Sequence, residues 1–111
     1  MTTVVFTKNS AGEYLDMTCM GHTGYAKKGT PDILCSAISA LTIHTANGIS
    51  QVVGDEFDFS QNEETGFFRC VFKTPLKEGS KVLLDSLVQS LDAMSAEYGD
   101  AYLQVSIKQQ D

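Results

Sequence analysis

Basic side chains are scarce in this chain: eight Lys and Arg stand against fourteen Asp and Glu, giving a formal net charge of −6. General nucleic-acid binding is not expected, because phosphate contacts need clustered lysine and arginine. A basic partner is favoured instead. Cysteine is also sparse, with three residues spaced 16 and 35 positions apart. That is neither a disulfide framework nor a zinc-ligand pattern, so no metal or other cofactor is expected and at least one thiol is free in a reducing, cytoplasmic setting. No apolar run approaching the roughly 20 residues of a membrane helix is evident. Met1 to Lys8 also lacks the charged start and apolar stretch of a secretion signal.

With 111 residues, 42% of them hydrophobic, the chain has the size of one compact domain spanning 1–111. Thr2 to Lys8 and Tyr14 to Met20 read as two strands joined by turn chemistry at Asn9-Ser10-Ala11-Gly12. Residues 21–30 hold three glycines and two lysines without a period, which predicts a mobile loop. A helix follows, with Thr30 as N-cap, Pro31 at the first position and Asp32 in the first turn. Ile33, Leu34, Ala37, Ile38, Leu41, Ile49 and Val52 recur at helical spacing as far as Gly54. Phe57 to Phe72 forms a second hairpin about Glu64-Thr65-Gly66. Glu78 to Tyr98 is an amphipathic helix marked by Val82, Leu83, Leu87, Leu91 and Met94. Ala101 to Gln109 closes the chain as a strand carrying Leu103, Val105 and Ile107. The order ββαββαβ predicts an α+β fold, an antiparallel sheet with both helices on one side; one helix on each face is the alternative.

Cys35 falls in the first or second turn of the first helix, where unsatisfied backbone N–H groups favour a thiolate and can serve as oxyanion donors. His22 opens the loop whose far end delivers Cys35, and the twelve intervening residues allow the two side chains to meet. An imidazole there can take the thiol proton and later return it to a leaving amine. Asp32, on the face of Cys35, opposes ionisation by itself but could orient the imidazolium. Ser39, one turn beyond Cys35, could line the site or simply bond back to its helix. His44 lies two and a half turns from Cys35, about 13 Å along the axis and on the opposite face, too far to serve it. Set against this, a free cysteine is ordinarily a small buried hydrophobe, and a histidine beside glycine is ordinarily a turn residue. Cys19 and Cys70, in phase with their large apolar neighbours, belong to the core.

The segment Gly21-His22-Thr23-Gly24-Tyr25-Ala26, then Gly29 and the helix start Asp32-Ile33-Leu34-Cys35-Ser36-Ala37-Ile38-Ser39-Ala40-Leu41, resembles the ribosomal-processing cysteine protease family, Prp. The resemblance implies a homodimeric cytoplasmic endopeptidase of Firmicutes and related bacteria that trims the N-terminal extension of large-subunit ribosomal protein number twenty-seven. Its catalytic histidine and cysteine fall on His22 and Cys35. A substrate-shaping loop falls on residues 25–30, its flexibility lent by Gly21, Gly24 and Gly29, with Tyr25 inside it. Thr23 stands where alanine is common, Ser36 where alanine or glycine is common, and the stretch 27–31 is longer than in many relatives. An acidic enzyme suits a basic ribosomal precursor as substrate. The rivals are a non-catalytic module that binds ribosomal protein or RNA and a redox-sensing thiol protein.

Overall fold

The computed structural model describes residues 1–27 and 32–110. Its elements are β1 (Thr2–Lys8), β2 (Tyr14–Met20), α1 (Ile33–Asn47), β3 (Phe57–Asn62), β4 (Phe67–Phe72), α2 (Glu78–Tyr98) and β5 (Leu103–Gln109), with a π-helical turn, Gly48–Val53, extending α1. The α+β class and the ββαββαβ order are those expected. The five strands form one sheet in the order β3-β4-β2-β1-β5.

One pairing differs from the expected antiparallel sheet. β5 runs parallel to β1, Val4 facing Val105, while β1–β2, β2–β4 and β3–β4 are antiparallel, so the sheet is mixed. A period of two places Leu103 and Val105 inward whichever way the strand runs, so hydrophobic alternation is blind to strand direction. The long α2 crosses over the sheet and returns the chain to an edge in that direction.

Register stacks the inward side chains into one layer: Phe6 opposes Met17, Met17 opposes Cys70, and Val4 opposes Cys19. On this layer α1 buries Leu34, Ile38, Thr42 and Thr45, continued by Ile49, and α2 buries Ser80, Leu84, Leu87 and Leu91. Steps of three and four residues keep each stripe on one helical face. The helices also touch each other, so both occupy the same side of the sheet. Burying each large aliphatic chain contributes roughly 2 kcal/mol.

Three residues expected in the core are not there. Ile33 is 73% exposed, Val52 84% and Val82 58%; Leu84, one of two adjacent leucines, is the fully buried one. Ile107, carried by β5, is likewise exposed, at 52%. The run Ile33–Val53 is, by length and composition, apolar enough to cross a membrane, with a mean hydropathy of 1.3, against the expectation that no such stretch exists. In the fold its inner stripe lies on the sheet. The run stops at Gly54, whose φ of 89° and ψ of 22° are left-handed and whose N–H bonds back to the Ile49 carbonyl at 2.9 Å.

Candidate active site

Helix α1 begins one residue after the position expected to lie in its first turn. Asp32 is the N-cap: its backbone is extended and Oδ1 accepts the Cys35 N–H at 2.9 Å. The expected cap Thr30 and first residue Pro31 lie outside the described residues, as does Gly29. Capping at Asp32 puts Cys35 in the third helical position, half-buried.

Asp32 is the anchor of the loop as well as of the helix. Its Oδ2 accepts from the hydroxyl of Thr23, a fully buried side chain, and from the N–H of Tyr25 at 3.1 Å. Burial alone would raise the Asp32 pKa. The Thr23 hydroxyl and the N–H groups of Cys35, Tyr25 and Ala26 outweigh that effect and hold it below the ordinary carboxylate range. The described part of the loop, 21–27, has no regular structure, as expected, but is tied down. Tyr25 is edge-on to both Tyr98 and Tyr102, with ring centroids 5.3 Å apart in each pair. Gly24 has a left-handed φ of 67° in open space.

His22 reaches Cys35 from the strand side. Gly21 ends β2 with a φ of 85°, and a Cβ there would strike the Met1 carbonyl oxygen, so only glycine lets the chain turn against the N-terminus. The turn carries the His22 ring out with Nδ1 3.9 Å from Cys35 Sγ. The other ring nitrogen, Nε2, lies 3.2 Å from the carbonyl oxygen of Glu64, in the β3–β4 turn. The orienting role considered for Asp32 is therefore not seen: its carboxylate is committed to Thr23, Tyr25, Ala26 and Cys35, and Glu64 contacts the imidazole. Of the backbone N–H groups near Cys35 considered as oxyanion donors, that of Cys35 itself is occupied by Asp32.

Between these side chains and the second hairpin opens a cavity of about 400 Å³. Cys35, Ser39, Thr42 and Ile43 form its helix wall, and Phe57, Phe59 and Phe68 its hairpin wall. Ser39 thus lines the site. Thr42 turns its hydroxyl to the Ile38 and Ser39 carbonyls, 2.9 and 3.1 Å away. Cys19 and Cys70 are buried as expected, but Cys19 also faces this cavity. Burial, then the neighbouring Cys35, pushes the Cys19 thiol up to about 12; burial pushes Cys70 up to about 11. His44 is exposed in the last turn of α1 and takes no part in the cavity. Among the described residues, no three His, Cys, Asp or Glu gather as a metal site requires.

Sequence reasoning missed the Glu64 carbonyl, Thr23 as a partner of Asp32, and the phenylalanine wall. A backbone acceptor leaves no trace in residue type. The alternation of Phe57 with Phe59 did mark an apolar face, but nothing in it says that part of that face is left open beside α1.

A thiol near a helix start, an imidazole within sulfur hydrogen-bonding reach and an apolar cavity beside both make a site of the thiol-hydrolase class. Comparison with known proteins narrows the class. The family model for cysteine protease Prp matches residues 1–103, and the chain belongs to that family. The ribosomal processing cysteine protease Prp of Staphylococcus aureus strain Mu50 is 25% identical over 100 residues, spanning 90% of this chain and 93% of the relative. The crystal structure of the essential ribosomal processing protease Prp from S. aureus with a covalently linked product peptide superposes with a TM-score of 0.88. It is 24% identical, and the match covers 97% of this chain and 100% of that one. A Streptococcus mutans crystal structure shares the fold at a TM-score of 0.84 and 18% identity, over 99% of this chain and 96% of that one.

Proposed function

We propose that this cysteine protease is a cytoplasmic, homodimeric endopeptidase that removes the N-terminal extension of large-subunit ribosomal protein number twenty-seven, with Cys35 as nucleophile and His22 as general base and acid. The observation that carries the assignment is the 3.9 Å approach of Cys35 Sγ to His22 Nδ1 at the mouth of the apolar cavity. Catalytic hydrogen bonds are commonly long in a free enzyme and tighten in the substrate complex. Further support comes from the Prp relatives solved with a substrate peptide and with a covalently linked product peptide.

In the reaction, His22 Nδ1 takes the thiol proton as Sγ attacks the scissile carbonyl carbon. The tetrahedral intermediate collapses when Nδ1 returns that proton to the departing amine, leaving a thioester on Cys35. Water then attacks the thioester, giving one proton to Nδ1, which passes it back to the sulfur as the carboxylic acid leaves. The cavity accepts an apolar segment of the peptide, and the charge of −6 draws in a basic precursor. No cofactor is required for this cycle.

The test is incubation with a peptide copying the precursor's N-terminal extension, followed by mass spectrometry. One defined cut, absent in Cys35→Ala, is the expected result. Cleavage by Cys35→Ala at the parent rate would sink the nucleophile assignment, and binding without cleavage would instead make the chain a ribosome-associated binding module.

A further inference from the structure

Two consecutive carbonyls of the β3–β4 turn hold two consecutive residues of the site. The Glu64 oxygen lies 3.2 Å from His22 Nε2, and the Thr65 oxygen accepts the Gly21 N–H at 3.2 Å. A carbonyl oxygen can only accept, so the first contact is a hydrogen bond when the ring proton is on Nε2. In the neutral ring that leaves Nδ1 bare, and Nδ1 is the nitrogen facing Cys35 Sγ. From these contacts we infer that the β3–β4 turn is the positioning element of the histidine: the Glu64 carbonyl selects the Nε2–H tautomer and Gly66 allows the turn to come close enough to do so. The inference rests on the assignment of His22 as base.

Gly66 is the reason that this turn can approach. Its φ of 68° is left-handed, and a Cβ there would overlap the Gly21 carbonyl oxygen and stand 3.1 Å from His22 Cε1. The turn is also internally braced. Asn62 Oδ1 accepts the Glu64 N–H at 3.1 Å, and the Gly66 N–H reaches the Glu63 carbonyl at 3.3 Å. The Glu64 carbonyl is therefore fixed by backbone geometry, and its function does not depend on the glutamate side chain.

The arrangement gives the site a third member, a backbone carbonyl, where a triad would use a carboxylate or amide. It also binds His22 to the hairpin that carries the phenylalanine wall. The base and the cavity for the peptide are thereby held in one frame.

The test reads the ring directly. Protein with ¹⁵N-labelled histidine and the substitutions Cys35→Ala and His44→Gln leaves one imidazole, observed at about pH 8.5, roughly two units above the ordinary histidine value. His22 is expected wholly in the Nε2–H form, and Gly66→Ala is expected to turn it into a mixed population. A mixed population in both, or a proton on Nδ1, overturns the inference. With Cys35 and His44 restored, Gly66→Ala is expected to lower kcat about 10- to 100-fold with KM little changed, as misplacement of a reacting group does. A rise in KM at constant kcat would make the turn a peptide contact and overturn the positioning role. Should Gly66→Ala fail to fold, Asn62→Ala removes the brace on Glu64, and the same mixing of tautomers is expected; an unchanged single tautomer counts against the turn. If the parent protein cuts no peptide, the base assignment falls, while the tautomer measurement still decides whether the turn holds the ring.

Discussion

The carboxylate of Asp32 and the amide of Cys35 are joined at 2.9 Å, so the cap of helix α1 also fixes the backbone of the candidate nucleophile. The second carboxylate oxygen holds the loop through Thr23 and Tyr25. Two substitutions separate these duties. Asp32→Ala removes both and is expected to cost about 1–2 kcal/mol of stability, the usual loss for an N-cap. Asp32→Ser keeps one capping oxygen and should recover most of that stability, but it cannot reach both sets of partners. Its kcat for peptide cleavage should therefore stay well below the parent value while its melting temperature returns. Equal recovery of both would assign Asp32 to the cap alone.

The same carboxylate sets an acid limit. Because its pKa is lower in the folded chain than in the unfolded one, the folded state binds fewer protons through the carboxylate range. Its contribution is full above the ordinary aspartate value of about 4 and is lost as pH falls through the folded value. Melting curves of parent and Asp32→Asn should differ most near neutral pH and converge below about pH 4. Asp55, held low by the Ser80 hydroxyl and the Lys77 N–H, is present in both proteins and cancels in the comparison. A gap between the two that is the same at every pH would show that the charge of Asp32 contributes nothing.

Much of this was legible in the sequence, and the losses have physical causes. Alternation marks the strands, Asn9 and the Glu64-Thr65-Gly66 stretch mark the turns, and placement makes Cys35 a candidate to which the family resemblance joins His22. Helical spacing admitted Ile33, Val52 and Val82 to the core, because a period says which residues share a face but not how wide the contact is. The direction of β5 was hidden, since inward and outward residues alternate identically in either sense. Proline at position 31 is a strong start signal and by itself puts Asp32 too far inside the helix, in its first turn. Its carboxylate could not be seen to gather Thr23, Tyr25 and Cys35, for which loop closure in three dimensions is needed. Thr23, met only as a departure from the family's alanine, supplies one of those bonds.

Thiol labelling follows from burial. Cys19 and Cys70 lie in the apolar layer with thiols pushed up to about 12 and about 11, whereas Cys35 is half-buried at the cavity mouth. Iodoacetamide acts on thiolate, so the folded protein near neutral pH should take up one label, on Cys35, and the unfolded protein three. Mass spectrometry of intact and digested protein counts them. Early labelling of Cys19 would mean that the cavity opens far enough to expose β2, and it would revive the redox rival, in which a second thiol resolves an oxidised Cys35.

The apolar wall can be tested without disturbing the core. Ile43 lines the cavity yet is 57% exposed, so a polar replacement there leaves the buried stripe of Leu34, Ile38, Thr42 and Thr45 untouched. Ile43→Asp puts a charge where an apolar peptide segment should lie, and desolvating part of it on binding should raise KM about tenfold. The reacting atoms are not moved, so kcat should change little and alkylation of Cys35 by the small reagent iodoacetamide should keep its parent rate. Ile43→Ala removes only contact area and should give a smaller rise in KM. Were Ile43→Asp to cleave with parental KM, the peptide would have to approach Cys35 from another side, and the cavity between α1 and the second hairpin would not be its binding groove.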